Sequence, residues 1–354
     1  MTDTDVTAGS GLRGVPLAIT PLTRKDVVSD AEVRWCPGCG DYAVLATFQG
    51  VLPELGIARE NTVIVSGIGC SSRLPYYVDT YGVHSIHGRA PAIATGLAIT
   101  RPDLAVFVVT GDGDALSIGG NHLIHTLRRN LNITILLFNN RIYGLTKGQF
   151  SPTSEQGKVT KSSPMGSLDA PFNPLSLALG AEATFVARAV DSDRAGLTEV
   201  LTAAAKHRGA SFVEIYQNCP IFNDGAYDAI KGKDADEALI RLVHGAPITF
   251  AGGTKGVVRD GSTGELFIAD VDEVGLDSVL VHDAHRQDPG LAFALSRLTD
   301  PGVLRRAPIG IFRDVDRPSY DDLARQQLET AGRPDDPDAS LQALLRGAET
   351  WTVL

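Results

Sequence analysis

Residues Leu104 to Asn140 read LAVFVVT, GDGD, ALSIGGNHLIHTLRRN and LNITILLFNN in succession. The first segment, Leu104 to Thr110, is a continuous β-branched and aromatic run, as expected of a strand buried on both faces. The chain then turns on Gly111-Asp112-Gly113, where two glycines admit conformations and close approaches that a Cβ would block. A helical stretch follows to about Asn130, then a second apolar strand, Ile133 to Phe138, ending in Asn139-Asn140. Strand, helix and strand make a βαβ unit, and in an open parallel sheet its two strand ends face one crevice.

Asp112 ends the first strand and Asn140 the second. A carboxylate, a side-chain amide and a nearby backbone carbonyl are hard oxygen ligands of the kind Mg²⁺ accepts, with positions left for phosphate oxygens. Gly111 and Gly113 let backbone N–H groups approach a diphosphate, whose charge the following helix N-terminus favours. Gly-Asp-Gly alone is ordinary turn chemistry. Paired with Asn-Asn at the end of the next strand, it resembles the thiamine-diphosphate signature, GDG followed by about 25 residues and NN.

The chain has 354 residues, 43% of them hydrophobic and 21% charged, which is ordinary for a globular protein with a sizeable core. No apolar run reaches membrane-spanning length and the N-terminus lacks a basic–apolar–cleavage pattern, so the cytoplasm is the expected location. The net charge of −10 argues against general nucleic-acid binding. Residues 1–30 are polar and mixed and read as a tail or arm. Residues 31–231 alternate strands and helices, a doubly wound α/β pattern with a mostly parallel sheet. Beyond about Lys231 the texture changes, and residues 232–354 read as a small C-terminal extension packed on the main domain. Within it, His282-Asp283-Ala284-His285 is expected to cover the sheet rather than close over a site.

Four cysteines stand in distinctive settings: Cys36 and Cys39 in WCPGCG, Cys70 in GIGCSS and Cys219 in QNCP. An isolated buried cysteine is usually a small hydrophobe, but a Cys-x-x-Cys between helix breakers suits that reading poorly. A zinc site with four thiolates and a 4Fe–4S cluster use the same ligand set. Zinc more often takes two close pairs, whereas one pair plus two single cysteines, the last followed by Pro220, leans towards iron–sulfur. His87 and Arg89 flank Gly88 in HSIHGR, where an arginine could donate to a diphosphate.

Taken together, the chain resembles the β subunits of the 2-oxoacid:ferredoxin oxidoreductases. Six motifs carry the resemblance in order: WCPGCGD, GIGCSSR, HSIHGRAPAIATG, GDGDALSIGGNH, NNRIYGLTKGQFSPTS and QNCPIFND. They run from Trp35 to Asp224. The resemblance implies the thiamine-diphosphate-binding fold, with Cys36, Cys39, Cys70 and Cys219 holding one 4Fe–4S cluster. It implies Asp112, Asn140 and the carbonyl of Ile142 on Mg²⁺. It also implies thiamine-diphosphate contacts from Ile68, Gly69, Cys70, Ser71, His87, Gly88, Arg89, Gly111, Gly113, Asp114, Gly144, Leu145 and Thr146. Cluster and cofactor should then be near neighbours, since Cys70 belongs to both sets.

The activity so implied is oxidative decarboxylation of a 2-oxoacid with coenzyme A, electrons leaving through the cluster to ferredoxin. The second half of the cofactor site, with its glutamate, is implied on a separate α subunit, giving an (αβ)₂ assembly. A non-redox thiamine-diphosphate decarboxylase or synthase, and an electron-transfer subunit without catalytic cofactor, are the competing classes. Thr146-Lys147-Gly148-Gln149 resembles members acting on 2-oxoglutarate, where pyruvate-preferring relatives commonly carry glycine in place of the lysine. Lys147 is therefore expected at the mouth of the crevice, helping to select 2-oxoglutarate, giving succinyl-CoA and CO₂. Pyruvate or broad 2-oxoacid use is the alternative.

Overall fold

The computed structural model describes residues 10–233, 235–299 and 302–353. Its strands are β1 (Thr62–Ser66), β2 (Tyr81–His84), β3 (Ala105–Gly111), β4 (Ile133–Asn139), β5 (Phe185–Val190), β6 (Ala210–Tyr216), β7 (Leu239–Leu242), β8 (Thr249–Phe250), β9 (Lys255–Arg259), β10 (Leu266–Asp270) and β11 (Ala307–Asp314). Its helices are α1 (Asp41–Glu54), α2 (Ala90–Thr100), α3 (Asp112–Leu116), α4 (Gly120–Arg129), α5 (Pro174–Gly180), α6 (Arg194–Lys206), α7 (Val271–Val274), α8 (Gly290–Ser296), α9 (Tyr320–Ala331) and α10 (Pro337–Arg346).

Eight strands form one sheet in the order β2-β1-β3-β4-β6-β5-β11-β7, and β8, β9 and β10 form a small antiparallel one. The large sheet is parallel except where β11 meets β5. Every residue of β4, β5 and β6 is buried, as an unbroken apolar run between two helical layers requires. One face packs against α1 and α6, with Phe48 of α1 edge-on to Phe107 of β3, ring centroids 5.2 Å apart. The other face is closed by α2, α4, α5 and α8. Gly111 lies opposite Phe138 in the β3–β4 register, so Asp112 and the Asn139-Asn140 pair leave the sheet at the same edge.

The single helix expected from the turn to Asn130 is two helices. α3 ends at Leu116, and the chain bends through Ser117–Gly119 before α4 begins. The break follows from a close crossing: a β-carbon on Gly88 would stand 2.6 Å from the Gly119 backbone nitrogen. α4 ends at Asn130 in the left-handed conformation (φ 54°). There its side-chain oxygen accepts from Ala210 N at 2.9 Å and Thr184 Oγ1 at 2.6 Å, which ties the helix end to β6 and to the residue before β5.

Two expectations about the ends of the chain change. Residues 10–30, read as a tail, pack along the domain: Leu12, Val15 and Val27 are buried, and the Gly11 N–H donates to Lys206 O at 2.7 Å. Residues 1–9 lie outside the described residues. The segment 232–354 is not an appendage beside a finished sheet, because β7 and β11 are two of that sheet's eight strands. The His282–His285 stretch does cover the sheet, through a 2.7 Å contact between His282 Nε2 and Ile311 O and a 2.6 Å contact between His285 Nδ1 and Asp314 O. No helix among the described residues is long and apolar enough to cross a membrane.

Candidate cofactor site

A cavity of about 480 Å³ opens where β1, β3 and β4 end. Eleven of the thirteen sequence-predicted cofactor contacts line it, together with Asp112, Asn140 and Ile142. Gly88 and Arg89 do not. Gly88 takes φ 72° in the α2 approach, and Arg89 is exposed at the N-cap of α2.

Asp112 is only 3% exposed, and Ser151 Oγ (2.5 Å) and Thr153 Oγ1 (2.6 Å) both donate to its Oδ2. Burial pushes its carboxyl up to about 6, against the pull of those two hydroxyls. Of the Asn-Asn pair, only Asn140 lines the cavity, its Oδ1 accepting from the Ile142 N–H at 3.2 Å. Asn139 faces the other way. Its amide donates to Glu214 Oε1 at 2.7 Å, and its carbonyl accepts from Thr153 Oγ1 at 2.9 Å. Glu214 in turn pairs with the buried Arg188 at 2.7 Å. A buried polar chain thus runs from Arg188 through Glu214, Asn139 and Thr153 to Asp112.

The glycines act through space rather than through unusual dihedrals, since neither Gly111 nor Gly113 takes a positive φ. A methyl on Gly113 would collide with the Tyr143 ring, whose hydroxyl donates to Gly113 O at 2.9 Å. Asp114 gathers the neighbouring loops: it accepts from Thr110 Oγ1 (2.7 Å), Gly88 N (2.7 Å), Ile68 N (3.1 Å) and His87 Nδ1. With Nδ1 donating to Asp114, His87 keeps Nε2 free, in a ring that lines the cavity. Ser71 Oγ is buried without a protein partner beside the same space.

All four thiols are free; Cys70 lines the cavity, Cys219 is buried and Cys36 is exposed. A β-carbon on Gly144 would stand 3.5 Å from Cys70 Sγ and 3.7 Å from Cys219 Sγ. Burial pushes the Cys70 thiol up to about 12, with Asp41, Cys219 and Cys36 all adding to the rise. Cys39 is raised by burial, Asp41, Cys219 and Cys70. Three separate segments therefore bring the four cysteines into one electrostatic neighbourhood. No group of three or more His, Cys, Asp or Glu side chains among the described residues is disposed to hold a metal ion. Lys147 is exposed outside the cavity lining, at φ 77° in the turn where its N–H donates to Gly144 O at 3.0 Å.

The chain is 65% identical over 343 residues to the 2-oxoglutarate oxidoreductase subunit KorB of Mycobacterium tuberculosis, covering 96% of this chain and 91% of that one. It belongs to the 2-oxoacid:ferredoxin oxidoreductase β subunits. The family described as the C-terminal TPP binding domain of thiamine pyrophosphate enzymes matches residues 67–215, the part of this β subunit that holds the cavity. A 2-oxoacid:ferredoxin oxidoreductase β subunit of Aeropyrum pernix is 47% identical over 201 residues, 57% of this chain and 62% of its own length. Among solved structures, a 2-oxoglutarate:ferredoxin oxidoreductase from Magnetococcus marinus, with 2-oxoglutarate, coenzyme A and succinyl-CoA bound, superposes with a TM-score of 0.73. It is 34% identical, over 92% of this chain and 97% of that one.

Sequence reasoning missed Phe138, Tyr143 and Gln149 in the lining and the hydroxyls of Ser151 and Thr153 on Asp112. Tyr143 and Gln149 sit inside the quoted NNRIYGLTKGQFSPTS motif, and the hydroxyls belong to its closing Ser-Pro-Thr-Ser.

Proposed function

We propose that this β subunit serves a 2-oxoglutarate:ferredoxin oxidoreductase, oxidatively decarboxylating 2-oxoglutarate with coenzyme A and passing electrons through a 4Fe–4S cluster to ferredoxin. One observation carries the reading: Cys70 lines the cofactor cavity while Gly144, also in its lining, touches the space of both Cys70 and Cys219. Cofactor and electron acceptor would share a wall, which keeps a one-electron transfer between them short. The names of the Mycobacterium and Magnetococcus relatives support the substrate.

The donor set fits the implied groups. Asp112 Oδ, Asn140 Oδ1 and the Ile142 carbonyl are hard oxygens of the magnesium type, and only one of them is a carboxylate. The unpartnered Ser71 hydroxyl fits a diphosphate oxygen. Four free thiols drawn from three segments, two of them against the same glycine, are the donor chemistry that a four-iron cluster takes. When bound, thiamine diphosphate supplies the nucleophilic carbon and electron sink for decarboxylation, and the cluster supplies a one-electron acceptor.

The chain's own residues then have plain tasks. Asp112, held by Ser151 and Thr153, fixes the metal and through it the diphosphate, so that the reacting end is positioned without bond-making by the protein. Asp114 holds His87, Gly88 and Ile68 in one arrangement, and Tyr143 over Gly113 closes the cavity floor against water. Lys147 follows directly on the lining residue Thr146 and would supply the cation that a second carboxylate of the substrate needs. The aminopyrimidine half of the site belongs to an α subunit, with (αβ)₂ the expected assembly and the reducing cytoplasm its setting.

The test is anaerobic purification with the α subunit. Expected are a brown protein with about four iron and four sulfide per β chain, and 2-oxoglutarate-dependent reduction of ferredoxin. Cys219→Ala should lose that reduction. A colourless, zinc-loaded and fully active enzyme would overturn the proposal.

A further inference from the structure

We propose that Gln217 sets the reduction potential of the group held by the four cysteines, by donating its side-chain N–H to Cys39 Sγ. The inference rests on the cluster reading above. Gln217 is 1% exposed and follows directly on the end of β6. Its backbone N–H donates to Asn139 O at 3.0 Å, which pins it to the end of β4. Gly40 packs against its Cγ, where a β-carbon on the glycine would come within 2.9 Å.

The amide's orientation follows from its neighbours. Nε2 reaches Asn218 O at 2.5 Å and Cys39 Sγ at 3.1 Å. Asn218 O is a backbone carbonyl and only accepts, so the NH₂ group must face it, and the second N–H falls to the sulfur. The carbonyl end, Oε1, is buried with no partner. A buried acceptor left unpaired costs stability, which an apolar side chain of the same shape would avoid. What the amide provides in return is the N–H on the thiolate.

That N–H acts on the redox step. A hydrogen bond draws charge off a ligating sulfur, which favours the electron-rich reduced cluster and raises its potential. Oxidative decarboxylation of a 2-oxoacid to an acyl-CoA releases two electrons, and a one-electron acceptor would have to take them singly, so the donor at Cys39 would govern how readily each is accepted. Gln217 touches no substrate on this account; it works through Cys39.

The experiment is a redox titration of the anaerobic αβ complex followed by electron paramagnetic resonance, with iron and sulfide counted in every sample. Gln217→Met keeps the length and removes the donor. At a fixed potential its reduced-to-oxidised ratio should fall about tenfold, which for one electron is a midpoint about 59 mV lower. Gln217→Asn keeps the amide but withdraws it by one methylene, and should shift the same way by a smaller factor. Normal iron with an unchanged midpoint in both variants overturns the inference while leaving the cluster standing. Wild-type complex without iron overturns the cluster reading and this inference with it.

Discussion

Replacing Asp112 by Asn should stabilise the metal-free chain and at the same time remove its response to magnesium and thiamine diphosphate. The magnitude comes from the burial of the carboxylate. Its rise from the ordinary 3.8 to about 6 corresponds to roughly 3 kcal/mol, at about 1.4 kcal/mol per pH unit. Below pH 3.8 the group is protonated whether the chain is folded or not, and no difference arises. Between 3.8 and about 6 the unfolded chain loses its proton while the folded one keeps it, so stability falls as pH rises. Above about 6 the whole penalty persists. Without metal, Asp112→Asn should therefore gain up to roughly 3 kcal/mol at pH 8 and almost nothing below pH 4. Added magnesium and thiamine diphosphate, at about 1,000 times their dissociation constant, should raise the wild type by about 4 kcal/mol and the variant far less. Urea unfolding followed by circular dichroism, at both pH values and with and without the ligands, reads each of these terms. A variant less stable than wild type at pH 8 without metal, or equally stabilised by the ligands, would refute the reasoning.

Three further outcomes are expected. Lys147→Gly should lose about 10- to 100-fold in kcat/KM for 2-oxoglutarate and little for pyruvate, the scale of a charge-assisted contact of roughly 1.5–3 kcal/mol. Because Lys147 sits at φ 77°, the glycine also relieves backbone strain, so a melting temperature below wild type would be unexpected; equal losses for both substrates would place the lysine outside substrate selection. Gly113→Ala should displace the Tyr143 ring and weaken thiamine-diphosphate binding at least tenfold by fluorescence titration, and unchanged affinity would show that the ring position is immaterial. The purified β subunit alone should show no turnover in a ferredoxin-linked assay, and activity without an α subunit would mean that the chain completes its own site.

The β3–turn–β4 unit was legible because its strands are unbroken β-branched runs, and two strand ends in one register dictate one crevice. The bend at Ser117–Gly119 was marked locally only by Gly119-Gly120, and the crossing that gives it its purpose, against Gly88 nearly thirty residues upstream, shows only in the fold. Asn139 and Asn140 read as one motif, yet only the fold separates them: one tilts into the cavity, the other into the Glu214–Arg188 pair. That pair itself was hidden, since Glu214 and Arg188 look like solvent-facing breaks in their strands but are fully buried against each other. The cysteines were legible by type and spacing, whereas Gln217 carries no signal until its neighbour's sulfur is seen. The C-terminal strands escaped because the Ala307–Asp314 run includes proline, glycine and arginine, and its partner lies far back in the chain.

That distant partnership also bears on how the protein is made. β11 pairs Ile311 with Ala187, so β5 leaves the ribosome long before the strand that will cover its edge. At translation rates of about 5–20 residues per second, the wait lasts roughly 6–25 s. Throughout it β5 presents bare N–H and C=O groups, an invitation to pair with any passing strand. The nascent chain spends that interval as a nearly finished cofactor domain with one side unguarded. Holding it apart from its own copies until Ala307–Asp314 emerges is a task that early capture by a partner subunit would fulfil.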